Sequence, residues 1–198
     1  MATLLKSFLV REELLKRRLH IVSSLDFSRI FQSSRHQTKH FLEKGTREGL
    51  FVRLKKGLYA LKTDLPTEQE IANRLYQPSY ISFEYALAFY NILPEMVYQV
   101  TNATTKPTRV FTLSDKVFSY FKIKDKAYAG YHFVEKEGMR FLIAEPEKAV
   151  ADYFYFVALG KKPGNDRLDL SFLNKKKLLE YAELYERKKL VDLVKKII

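Results

Sequence analysis

Ser34-Arg35-His36-Gln37-Thr38-Lys39-His40-Phe41-Leu42 and, a few residues later, Leu50-Phe51-Val52-Arg53-Leu54-Lys55-Lys56-Gly57-Leu58-Tyr59-Ala60-Leu61 decide the architecture of this chain. Ser34 with Gln37 three residues on is a capping box, which starts a helix. Thr38, Phe41, Leu42 and Gly45 then recur at i, i+3, i+4 and i+7, so one face turns inward. Arg35, His36, Lys39, His40 and Arg47 occupy the other face, with Glu43 as the exception. The second segment reads as a β-hairpin: Leu50, Val52 and Leu54 alternate with Phe51, Arg53 and Lys55, and Gly57 supplies the positive φ of a short turn.

Working backward, Ser23 and Asp26 form another capping box. Phe27, Ile30 and Phe31 follow as an inward stripe, and this short helix ends near Gln32. Before it, Leu5, Phe8, Leu9, Leu15 and Leu19 approximate one helical face, predicting a first helix from about Leu4 to Leu19. Two short helices joined by a tight turn, the second basic outside, make a helix-turn-helix, and a basic hairpin directly after it is a wing. The turn Phe31-Gln32-Ser33 carries no glycine, and Gly45 either ends the second helix or lies inside it.

Charge agrees with this placement. The chain has 198 residues and a net charge of +12. Up to Lys62 there are 14 Lys and Arg against 5 Asp and Glu; from Thr63 to Gly160, 10 against 12; from Lys161 onward, 11 against 6. A basic N-terminal module points to a polyanion. The candidate contacts with double-stranded operator DNA are Ser34, Arg35, His36, Gln37, Lys39 and His40 on the helix, for base edges. Arg53, Lys55 and Lys56 on the hairpin are placed for phosphates. A winged helix that binds protein is the alternative, and the basic outer face and basic hairpin argue against it.

The expected organisation is a winged helix-turn-helix over residues 1–62 and an α+β domain over 63–198, with a mainly antiparallel sheet and C-terminal helices. Thr67 and Glu70 cap a helix running to about Tyr76, which Gln77-Pro78 stops. Ser82 caps another, over Phe83 to Tyr90. Val97 to Ala103, Thr108 to Leu113 and Val117 to Ile123 read as strands. Tyr131 to Val134 and Met139 to Ile143 read as a hairpin across Glu135-Lys136-Glu137-Gly138. Pro146 suits the first turn of a helix over Glu145 to Leu159, and Asn174 caps a final helical region, broken near Arg187. That region alternates Lys175-Lys176-Lys177 and Arg187-Lys188-Lys189 with Leu178, Leu190, Leu193 and Val194, a basic amphipathic pattern. It reads first as a domain-closing helix with a solvated face, and second as another DNA contact or a surface for an acidic partner.

Catalytic constellations are thin. Cysteine is absent, which removes disulfides and thiol chemistry and fits a reducing compartment. With no convincing secretory signal and no long apolar run, the expectation is a cytoplasmic protein without a membrane segment. His36 and His40 are spaced i, i+4, but Gln37 stands where a zincin needs Glu, so neither metal nor cofactor is expected. Glu145 and Glu147 sit in a first helical turn, where the dipole favours carboxylates. Tyr153-Phe154-Tyr155-Phe156 reads as core. No glycine-rich phosphate loop appears. The expectation is a protein that is not an enzyme.

Gly49-Leu50, Arg53-Leu54 and Lys56-Gly57-Leu58-Tyr59-Ala60 resemble the wing of AbiEi-family antitoxins and related regulators. Pro78-Ser79-Tyr80-Ile81-Ser82-Phe83-Glu84-Tyr85-Ala86-Leu87 resembles their segment after the wing. Ala144-Glu145-Pro146-Glu147-Lys148-Ala149-Val150-Ala151-Asp152 resembles a third block, with Val150 where the family often has Leu. The blocks occur in the family's order and cover about Ser23 to Phe156. The resemblance implies an antitoxin of a type IV (AbiE) toxin–antitoxin system, associated with abortive infection. Its winged domain would repress its own operon, and its second domain would help neutralise a nucleotidyltransferase-like toxin. Two other readings are a stand-alone winged-helix regulator and a nucleic-acid-processing enzyme.

Overall fold

The computed structural model describes residues 5–136 and 139–198. The expected start of the first helix at Leu4 and the Glu137-Gly138 turn lie outside the described residues. The chain is a mixed α+β protein and divides into two compact units, Met1–Leu75 and Tyr76–Ile198. The division falls after Leu75, whereas the sequence placed it after Lys62. The intervening helix is tied to the first unit: Lys55 Nζ donates to the Leu75 carbonyl at 2.5 Å, and Arg74 pairs with Asp26 at 3.6 Å.

The first unit comprises α1 (Ser7–Lys16), β1 (Ile21–Ser23), α2 (Ser24–Ile30), α3 (Arg35–Arg47), β2 (Phe51–Lys55), β3 (Leu58–Leu61) and α4 (Glu68–Leu75). The strands form an antiparallel sheet in the order β1-β3-β2. As the central strand, β3 is buried at every residue. A core of Val10, Leu14, Val22, Phe27, Leu42, Phe51, Tyr59 and Leu61 joins helices to sheet. Phe27 is its aromatic centre, with ring centroids 5.5 Å from Phe41 and 6.5 Å from Phe51.

Both capping boxes form as expected, Ser23 with Asp26 and Ser34 with Gln37. So does that of α4, where Thr67 N donates to Glu70 Oε2 at 2.9 Å. The glycine-free turn is accommodated by Gln32, which takes φ +47°. Gly45 lies inside α3 because a Cβ there would stand 2.9 Å from Phe51 Cδ2. The helix ends instead at Gly49, whose φ of +79° lets Leu50 N return to the Gly45 carbonyl at 2.8 Å.

Three local expectations need correcting. Helix α1 is shorter than predicted and buries Val10 and Leu14, while Phe8 and Leu9 are exposed. β1 was not anticipated, because three residues between two helices are too few to show alternation. In β2, Phe51 and Leu54 are buried and Val52 is exposed. A register shift between Arg53 and Lys55 breaks the simple alternation.

The second unit holds β4 (Ser79–Ile81), α5 (Phe83–Phe89), β5 (Val100–Thr104), β6 (Arg109–Leu113), β7 (Lys116–Lys122), β8 (Tyr131–Lys136), β9 (Met139–Ala144), α6 (Pro146–Ala158), α7 (Lys175–Glu183) and α8 (Lys188–Ile197). Its sheet runs β6-β7-β5-β4-β9-β8. Pairs β4/β9 and β5/β7 are parallel and the other three antiparallel. Pro146 opens α6 as predicted. The C-terminal helical region breaks at Glu186, with φ +46°, and α8 restarts after Arg187. Among the described residues no helix is long and apolar enough to cross a membrane.

Candidate nucleic-acid interface

A groove with a cavity volume of about 470 Å³ lies in the first unit between α3, the start of α2 and the β2–β3 hairpin. Arg35 and Lys39 line it from α3, and Arg53 and Lys56 from the hairpin. All four side chains are exposed. Glu43, one turn beyond Lys39, is the single carboxylate in the lining, and Leu25 and Tyr59 contribute apolar surface. Four cations around one concave surface favour an anion there, and their exposure lets them meet it without a large desolvation cost.

Local structure fixes both walls. Arg35 follows directly on the capped Ser34, so its backbone is set by the first turn of α3. Thr38 and Leu42, one turn apart, are buried and set the rotation of the helix. The hairpin turn is held by Gly57, with φ +78°, whose carbonyl accepts from Ser24 N at 3.0 Å. Lys56 is therefore carried on a loop anchored to α2.

The nine candidate residues separate into three groups. Arg35, Lys39, Arg53 and Lys56 come together in the groove. His36 and His40 are exposed on α3 but outside the groove lining. The other three are engaged locally. Ser34 Oγ accepts from Gln37 N at 3.2 Å, Gln37 Oε1 accepts from Ser34 N at 2.9 Å, and Lys55 reaches the Leu75 carbonyl. Residues 34 and 37 thus build the helix end that presents Arg35. Sequence reading missed Glu43 as a groove residue, and Ser24 and Ser28 from α2. Only the approach of α2 to the hairpin brings them there.

A second polar centre lies in the other unit, fully buried. Asp152 Oδ2 accepts from Ser82 Oγ at 2.6 Å and Tyr80 OH at 3.0 Å. Asp152 Oδ1 accepts from Lys148 Nζ and Tyr185 OH. Lys148 and Tyr185 are themselves 3.2 Å apart. Ser82 was expected to cap α5; its hydroxyl is instead given to Asp152. Thr101 Oγ1 takes over the capping, accepting from Tyr85 N at 3.1 Å. Burial holds the Lys148 ammonium below the ordinary lysine range, against the pull of Asp152. Burial and then Asp152 push the Tyr80 and Tyr185 phenols well up. The one sequence signal was a Lys–Asp pair at i, i+4 amid the apolar and aromatic residues of α6. With every member at 0% exposure, substrate has no access, and the cluster acts as a fastener joining α6 to β4 and to the α7–α8 junction.

Glu145 and Glu147 share Lys177, at 2.8 and 4.0 Å, and each has a further partner of its own. Burial alone would raise the Glu145 pKa, but hydrogen bonds from Lys177 and Tyr181 outweigh it and hold the carboxyl below its usual range. Glu147 Oε1 accepts from Asn174 N at 3.1 Å. Tyr153, Phe154 and Phe156 are buried, and Tyr155 stacks on Tyr185 at 4.1 Å. Among the described residues no group of three or more His, Asp or Glu is placed to hold a metal ion. Compared with known proteins, the chain matches no family model and no curated sequence.

Proposed function

We propose that the chain is a sequence-specific DNA-binding regulator, not an enzyme, and that its first unit is a winged helix-turn-helix. In this reading α2 and α3 are the helix pair, α3 enters the major groove, and the β2–β3 hairpin is the wing. The observation that carries it is the groove that gathers Arg35 and Lys39 from α3 with Arg53 and Lys56 from the hairpin. Arg35 and Lys39 stand at the N-terminal half of α3, where a recognition helix meets base edges, and Arg53 and Lys56 neutralise phosphate beside it.

The resemblance of the sequence to AbiEi-family antitoxins extends the proposal to a cytoplasmic autorepressor paired with a nucleotidyltransferase-like toxin. A nucleotidyltransferase-like reading frame beside the gene favours the pairing, and its absence favours a stand-alone regulator. The DNA reading is tested by titrating the purified protein against DNA from upstream of its own gene and against a scrambled duplex of equal length, at two salt concentrations. Preference for the upstream DNA that survives the higher salt supports it. Equal binding erased by salt overturns it.

A further inference from the structure

The basic amphipathic pattern at the C-terminal end has its apolar side already occupied. Leu190 and Val194 of α8 are fully buried, and the helix packs on α6 and α7. A helix that binds a membrane surface or a partner's groove does so through its apolar face. That face is not available here, so charge alone remains for recognition.

The remaining charge is one-sided. Lys188, Lys189, Lys195 and Lys196 are all exposed on the polar face of α8. Lys175 Nζ donates to the Ile198 carbonyl, so the start of α7, which carries the exposed Lys176, lies near the end of α8. Asp192 is the one acid on the polar face of α8. It is spaced four residues from both Lys188 and Lys196, yet it pairs with neither. Three other lysines of this unit are compensated: Lys126 by Glu186, Lys162 by Glu84, Lys177 by Glu145. Glu180 and Glu183 lie further along α7, away from its lysine-bearing start.

We propose that this lysine face is a second contact for duplex DNA, directed at the phosphate backbone and indifferent to sequence. It rests on the reading of the chain as a DNA-binding protein. Lys188 to Lys196 span about 12 Å of helix, the axial length of about three to four base pairs. Ammonium groups are point charges suited to phosphate rather than to bidentate base reading. The face therefore adds affinity and salt dependence without adding specificity.

The test uses the full chain in three forms: wild type, K188Q/K189Q/K195Q/K196Q, and a groove variant, R35Q/R53Q. Affinity for the upstream and scrambled duplexes is measured across salt. With two to four lysines engaged, the α8 variant shows a log–log salt slope shallower by about 2 to 4 on both duplexes. Its preference for upstream DNA is kept, and the four Lys→Arg replacements restore the slope. Because the lysines are exposed, an unchanged thermal midpoint serves as the folding control. A wild-type slope in the α8 variant overturns the proposal and leaves an acidic protein as the partner for this face; a wild type that binds no duplex overturns it equally. A groove variant with undiminished preference overturns the winged-helix reading by itself, whatever the α8 variant shows.

Discussion

Replacing Asp152 with Asn separates a structural fastener from a functional carboxylate. Asp152 accepts from Lys148, Tyr80, Ser82 and Tyr185, and all five residues are fully buried. Asn keeps the shape and retains one acceptor oxygen, but it removes the charge and leaves the Lys148 ammonium without a counter-ion. Breaking a buried pair in this way costs about 3 to 5 kcal/mol. That is a large part of the roughly 5 to 15 kcal/mol that holds a domain together. In a Lys148→Met background the buried Asp152 carboxylate is itself the stranded charge. The same Asp152→Asn change then removes it, at about 0 kcal/mol net or with a gain in stability. The two backgrounds should therefore differ by about 3 to 5 kcal/mol or more in a double-mutant cycle. Urea unfolding followed by far-UV circular dichroism measures it, since the chain contains no tryptophan. Equal costs in the two backgrounds would refute the assignment of Lys148 as the charge that Asp152 neutralises.

Three other substitutions follow from local geometry. Gly45→Ala should destabilise the first unit by about 1 kcal/mol net, since crowding Phe51 at 2.9 Å outweighs the better helix propensity; a stabilised variant in urea unfolding contradicts the packing described. Ser34→Ala should cost about 1 kcal/mol by opening the capping box of α3, and should weaken binding to upstream DNA by loosening the turn that carries Arg35; unchanged stability rules out the cap. Glu145→Gln addresses acid stability. The folded pKa of Glu145 is depressed, so its contribution is present above its ordinary value near 4.5 and is lost as pH falls through the folded value. Thermal midpoints of wild type and variant should differ at pH 6 and converge in acid, whereas a constant difference across pH would exclude the ionised carboxylate as the cause.

Local signals carried much of the fold. The capping residues at Ser23, Ser34 and Thr67 act on their own backbone within three residues, so their pattern is written in adjacent sequence. The hairpin and the opening of α6 at Pro146 are local in the same sense. What could not be read depends on distant approach. The rotation of α1 is set by what Val10 and Leu14 meet in the assembled core. Ser82 abandons its capping role because α6 brings Asp152 to it, seventy residues away in sequence. In the groove, Arg35, Lys39, Arg53 and Lys56 were recognisable by charge and position. Glu43 and the two α2 serines enter only when α2 and the hairpin are drawn together by the Ser24–Gly57 hydrogen bond. Lys55 looked equivalent to Lys56, yet the register shift in β2 and the carbonyl of Leu75 give it a different role.

The groove itself admits the most direct test: the salt dependence of binding to upstream DNA by wild type and by R53Q/K56Q. The two hairpin cations engaged on phosphates give a log–log slope contribution of about −1.8, or about 12-fold in affinity between 50 and 200 mM salt. Removing the hairpin pair should abolish that contribution, making the slope shallower by about 1.8, and weaken upstream and scrambled duplexes alike while the preference between them persists. A variant with the wild-type slope, or one that loses preference while keeping its slope, contradicts the division of labour in which α3 reads the bases and the hairpin holds the backbone.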